Sequence, residues 1–207
     1  MATDNIIGDT IIKIMNLEEI PDAEKQKYTK IFKSFPDIKD DDIALTYASY
    51  VPYAKLRTYE ADGKIIKTVI VLGLFFYELF DDEEREAVVA HELGHYIHRK
   101  NRSISEAKEL SDKFYELESY YKRRDSEEKV VITYTDEEKH RIKELQDIHN
   151  AYEFYADDKA IKSGYGEQIL SSLEKIAEKH YNRLSRMSKE SVKARIERLK
   201  QMNNRGF

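Results

Sequence analysis

Two histidines four residues apart, with a glutamate after the first, are the residues of this chain best placed to do chemistry: His91-Glu92-x-x-His95. A helix turns by about 100° per residue, so positions 91 and 95 lie one turn apart on one face. Two imidazoles at that spacing can bind one tetrahedral metal, and Glu92 beside them can take a proton from a metal-bound water. The chemistry this pattern serves is metal-assisted hydrolysis. The stretch that holds it, "VVAHELGHYIHRK" at 88 to 100, carries Val89, Leu93, Tyr96 and Ile97 on its other side. That apolar side is predicted to pack inward while the histidines look into a cleft. Gly94 costs such a helix about 1 kcal/mol against Ala, a cost that makes sense where another segment must come close.

A hydrolytic zinc needs a third protein ligand and an open fourth position. The chain has no cysteine, so disulfides, thiolate ligands and a Cys nucleophile are excluded, and a zinc here has to be held by His and carboxylates. The stretch "NAYEFYADDKA" at 150 to 160 offers Glu153 as a ligand. Asp157, one turn on, can accept a hydrogen bond from a liganding imidazole and fix its tautomer. Ala156 between them would let two helices approach closely. His149, one turn before Glu153, is a rival ligand, and both acids could instead be surface carboxylates among the 40 acidic residues. His98 shares the face of His95, but three ligands on one straight helix seldom converge on one ion, so it is expected at the rim.

The elements that position these residues read mainly as helices. Asp81 or Asp82 can cap the helix of His91, and the acids that follow suit its positive end. Thr135 with Glu138 has capping-box spacing and opens a second long helix, which carries Glu153 and stops near Gly164. "GEQILSSLEKIAEKH" and "SKESVKARIERLKQM" read as two further helices. Residues 5 to 34 read as two short helices broken at Pro21, within a helical N-terminal segment 1 to 40. Residues 55 to 72 read as a β-hairpin around Asp62-Gly63, with the β-branched run Val69 to Leu72 as a buried strand. The polar segment 101 to 134 reads as a helical insertion with a loop near 125 to 134. The fold class is therefore α+β and mostly helical, one domain over 1 to 207, with a small sheet over the helix of His91.

Charged residues make up 36% and the formal net charge is −5, with both signs interspersed. No basic stripe for nucleic acid results, and "YYKRRD" at 120 to 125 reads as a solvated face. The first residues lack the pattern of a signal peptide. The longest apolar run, "TVIVLGLFFYELF", is shorter than the ~18 residues of a membrane span. A soluble, cytoplasmic protein is the expectation.

"FDDEEREAVVAHELGHYIHRKN" followed by "EFYADDKAIKSGYGEQILSSLEKI" resembles the HtpX-like and CAAX-prenyl-protease family of gluzincin metallopeptidases. The counterparts of the family's pattern are Leu72-Gly73-Leu74, His91 to His95, Glu153 to Asp157, Gly164-Tyr165 and, in the closing "SVKARIERLK", Arg195. The resemblance spans roughly residues 65 to 200. It implies a zincin-like fold and a zinc endopeptidase acting on a peptide or protein. His91, His95 and Glu153 would be ligands, Glu92 the general base, and Asp157 the acid behind a ligand. Arg195, His180 or a tyrosine would steady the oxyanion. It also implies an edge strand in the 65 to 72 region that pairs with extended substrate. Lys189-Glu190 stands where the family often has His-Pro, and the transmembrane helices of many relatives are absent. A compact version is similar to the archaeal minigluzincins, which their own chain keeps latent. The helical N-terminus and the closing helices could cover the cleft likewise. The ImmA/IrrE-like metallopeptidases are a second resemblance, weakened by the acidic lead-in and by Ala-Asp after Glu153. A non-catalytic, zinc-stabilised interaction module is the alternative of a different class.

Overall fold

The run Val69-Ile70-Val71-Leu72 is wholly buried, and its neighbours explain why. In a computed structural model, which describes residues 17–36, 38, 43–61, 64–125 and 133–204, it ends strand β4 (Lys64–Leu72). β4 lies between β2 (Ile43–Tyr47), to which it is parallel, and β3 (Ala54–Ala61), to which it is antiparallel. A two-residue strand β1 (Glu18–Glu19) pairs antiparallel with β2, giving the mixed order β1-β2-β4-β3. Successive side chains of a strand face opposite ways. Ile70 and Leu72 accordingly join the main core, and Val69 and Val71 a smaller cluster with Leu17, Ala48 and Val51.

The expected hairpin is present, with Ala61 opposite Lys64; its turn, Asp62-Gly63, lies outside the described residues. β4 is flanked on both sides, so the edge strand is not in the 65 to 72 region as the resemblance implied. Among the described residues the edge strands are the two-residue β1 and the long β3, and the edge beside β4 is that of β3. Order in a sheet is set by pairing with β2, which local patterns do not report.

Among the described residues near the N-terminus the helical expectation holds after Pro21. Glu18–Glu19 are extended because they pair with Tyr47 and Thr46 of β2. Pro21 then precedes α1 (Asp22–Lys27), and a break at Tyr28 separates it from α2 (Thr29–Lys33). The first expected helix otherwise lies outside the described residues. A short helix not foreseen, α3 (Leu74–Leu79), follows Gly73. Gly73 is required there, since a Cβ would collide with the backbone carbonyl of Val51.

The long helices follow their caps. α4 (Asp82–Lys100) opens with a capping box in which Asp81 and Glu84 exchange hydrogen bonds of 3.0 Å each. Glu84 is also bound by Ser171 at 2.6 Å and Lys175 at 2.5 Å, which anchors that helix end to α7 (Gly166–Lys179). α5 (Ile104–Asp125) fills most of the polar segment, and the loop expected near 125 to 134 falls mainly outside the described residues. α6 (Asp136–Lys162) starts at the Thr135–Glu138 capping box and ends before Gly164, whose φ of 90° suits glycine. α8 (Arg186–Asn203) closes the described chain. The molecule is thus mostly helical with a small mixed sheet, an α+β architecture. Among the described residues no helix is long and apolar enough to cross a membrane.

Candidate metal centre

α4 and α6 touch at their smallest residues. A Cβ on Gly94 would stand 2.7 Å from Ala156 Cα and 2.9 Å from its carbonyl oxygen. The two backbones therefore pass as closely as glycine permits, as Gly94 and Ala156 suggested. This contact brings His91 and His95 on α4 against Glu153 and Asp157 on α6.

His91, His95 and Glu153 form a group whose ligand atoms all lie within 4.8 Å of one another and could hold a metal ion. Glu153 Oε2 is 3.4 Å from His91 Nε2, and Oε1 is 3.6 Å from His95 Nε2. Bonds of about 2.05 Å to a tetrahedral ion place neighbouring ligands about 3.3 Å apart. Both Glu153 contacts are near that spacing, each through a different oxygen, and the group as a whole, within 4.8 Å, would draw together around an ion. Asp157 is 0% exposed and the Glu153 side chain 15%, so the reading of these two acids as surface carboxylates does not hold; His91 and His95 are buried as well. His149 is buried against Phe114 instead, with ring centroids 5.1 Å apart, and His98 packs on Tyr152 and Tyr155. Neither belongs to the group.

Behind the donors lies a charged frame. His91 Nδ1 is 2.9 Å from Asp157 Oδ1. A proton on Nδ1 donated to Asp157 leaves the Nε2 lone pair toward the metal position. Arg195 clamps both carboxylates: Nε donates to Asp157 Oδ2 at 2.9 Å, Nη2 to Oδ1 at 2.6 Å, and Nη1 to Glu153 Oε2 at 3.0 Å. The geometry thus uses Arg195, expected as a catalytic group, to orient the acids that orient and complete the donor set.

Without a metal, a proton on His91 and the Arg195 guanidinium balance the buried acids, and an ion that binds must displace that proton. Burial opposes a charge on Glu153, but His95, His91 and Arg195 outweigh it and hold the carboxyl well below its ordinary range. Burial and Arg195 also oppose a charged His91; hydrogen bonds to Asp157 and Glu153 prevail and raise it to about 9. Burial keeps His95 neutral, pushed down to about 3. Glu92 is raised, mainly by burial.

Glu92 faces a cavity of about 380 Å³ floored by His91, His95 and Glu153. β3 forms its roof through Ala54 and Leu56, and Leu56 N–H donates to Glu92 Oε2 at 2.7 Å. Ile169, Leu173, Ile176 and Val192 wall it from α7 and α8. The closing helices therefore do line the cleft. The N-terminal helices α1 and α2 contribute nothing to that lining, and residues 1 to 16 lie outside the described residues.

Sequence reasoning missed two contributors. Tyr152 stacks on His95, with centroids 4.2 Å apart and planes at 15°; its place beside Glu153 was the only signal, and tyrosine is common in this chain. The Leu56 main chain left no signal, because a backbone donor has none. His180, offered for the oxyanion, instead bonds Tyr53 Oη at 3.1 Å and packs on Phe75. Compared with protein-family models, curated proteins and solved structures, the chain matches none.

Proposed function

We propose that this protein is a zinc-dependent endopeptidase, with the zincin-like arrangement that its likeness to HtpX-like gluzincins suggests. The observation that carries the reading is the position of Glu92. It is a buried carboxylate with a raised pKa, on the cavity floor beside two imidazoles and a carboxylate that converge. A site that only stabilised the fold would have no use for such a base. Two imidazole nitrogens, one carboxylate oxygen and no thiolate suit zinc with an open position.

Zinc bound there would polarise the scissile carbonyl and make its water acidic near neutral pH. The chain's own residues do the rest. Leu56 N–H holds Glu92 Oε2, which leaves Oε1 to take the water's proton and pass it to the leaving amine. Arg195 and Asp157 hold the donors in place, and apolar side chains of α7 and α8 line the cavity. β3 supports the substrate. Leu56 N–H points away from β4, so by the alternation of a strand the main-chain groups of Ala54 and Thr58 face the free edge too. An extended peptide can add there as a further strand.

The test is cleavage of a diverse peptide mixture by zinc-loaded protein, wild type beside Glu92→Gln, read by mass spectrometry. Cuts by the wild type alone support the proposal. Cuts by neither, with zinc bound, refute it.

A further inference from the structure

A second cavity, of about 510 Å³, lies one helical turn beyond the metal position. His98, three residues after His95, lines it, and Tyr152 is a wall common to both cavities. The Tyr152 ring stacks on His95 on one side and meets the edge of His98, 4.9 Å between centroids, on the other. β3 runs past both: Ala54 to Leu56 line the cavity over the metal position, and Thr58 lines this one. The two therefore lie in sequence along the edge where a peptide would add.

Their chemistry differs. In the cavity at the metal position the α7 and α8 walls are mainly aliphatic, and the cations in the lining, Lys55 and Arg195, are matched by Glu92 and Glu153. The second has Arg99, Arg102 and Lys108 in its lining and one acid, Asp112, so cations outnumber anions by two. Its lining histidine brings no charge, because burial and the neighbouring Arg102 push His98 down to about 4. Its apolar floor, Leu110 and Phe114, comes from α5. The polar insertion thus builds one side of a pocket that opens onto the substrate edge.

We propose that this pocket is a substrate subsite that selects an acidic side chain, so that the preferred substrate is an extended peptide with an apolar residue in the first cavity and Glu or Asp in the second. The inference deepens the peptidase reading and rests on it. The long arms of Arg102 and Lys108 meet a carboxylate at the mouth, and the stem of a glutamate packs on Phe114 and Tyr152. Discrimination comes from charge and so weakens with salt over a screening length of about 10 Å at 0.1 M.

The experiment measures binding rather than turnover, using zinc-loaded Glu92→Gln protein and fluorescence anisotropy. The probes are labelled peptides with one Phe anchor and a single Glu, Gln or Lys scanned over the four positions on each side. At one position Glu is expected to bind about fivefold tighter than Gln, and Lys more weakly than either, as an exposed ion pair of up to about 1 kcal/mol implies. Arg102→Glu/Lys108→Glu, whose side chains reach solvent, reverses that order while circular dichroism stays unchanged. Equal affinity for the three peptides at every position, no binding, or an order the double variant leaves intact overturns the assignment. Cleavage by wild-type protein is scored separately, so a failed subsite and a failed peptidase reading give different results.

Discussion

Gly94→Ala is a sharp probe, because two effects of opposite sign compete at that position. On propensity alone the substitution stabilises α4 by about 1 kcal/mol. The new Cβ, however, would stand 2.7 Å from Ala156 Cα, about 0.7 Å short of an ordinary contact of 3.4 Å. The atoms it meets are backbone, so no rotamer can yield, and α4 and α6 must separate by a similar amount. Overpacking of this kind costs about 1–3 kcal/mol, which exceeds the propensity gain. The effect on the metal is larger. His91 and His95 move with α4 and Glu153 with α6, whereas metal–ligand distances tolerate only about 0.2 Å. Zinc affinity is expected to fall at least tenfold, read by competition with a chromophoric chelator, and urea unfolding of the metal-free protein to show a net loss. Ala156→Gly should not rescue the variant, since the atoms met are not side chain. A Gly94→Ala protein with wild-type stability and zinc affinity would refute the packing argument.

Three further outcomes follow from the frame around the site. Asp157→Asn removes the acceptor behind His91 and should weaken zinc binding about 10–100-fold, measured by the same competition. Arg195→Met leaves Asp157 and Glu153 buried without their cation and should destabilise the metal-free protein by about 3–5 kcal/mol in urea; stability equal to wild type would show that the clamp contributes nothing. Asp81→Ala removes the cap of α4 and should cost about 1 kcal/mol at pH 7. The Glu84 N–H, with Lys175 nearby, holds the Asp81 carboxyl below its ordinary 3.8 in the folded chain. That contribution is therefore complete above pH 3.8 and is lost as pH falls through the lower folded value. The gap between wild type and Asp81→Ala should narrow in unfolding measured near pH 3.

What the sequence disclosed was local. His91, Glu92 and His95 declare themselves by spacing on one helix, and Glu153 with Asp157 by spacing on another. The Thr135–Glu138 capping box, a cap at Asp81 or Asp82, and close approaches at Gly94 and at Ala156 follow from residue type at fixed offsets, but not that those two small residues meet each other. What stayed hidden depended on distant pairing. Nothing within 54 to 72 says that β4 joins β2 in parallel, so the free edge could not be assigned to β3. Leu56 reaches Glu92 through its main chain, and Tyr152 reaches His95 only because α6 crosses α4 at Gly94. Arg195 was singled out, yet its clamp on two carboxylates depends on where α8 packs. The insertion at 101 to 134 looked merely polar, because its apolar positions serve a pocket floor rather than the main core.

Which residues hold the metal decides the proposed chemistry. The direct measurement is zinc per chain by elemental analysis after equilibrium dialysis, for wild type, His91→Ala, His95→Ala, Glu153→Ala and Glu92→Gln. One zinc in the wild type and in Glu92→Gln, with binding lost or greatly weakened in the other three, is the predicted result. No zinc in a folded wild type, or its loss from Glu92→Gln alone, would contradict the assignment of three ligands and a separate base.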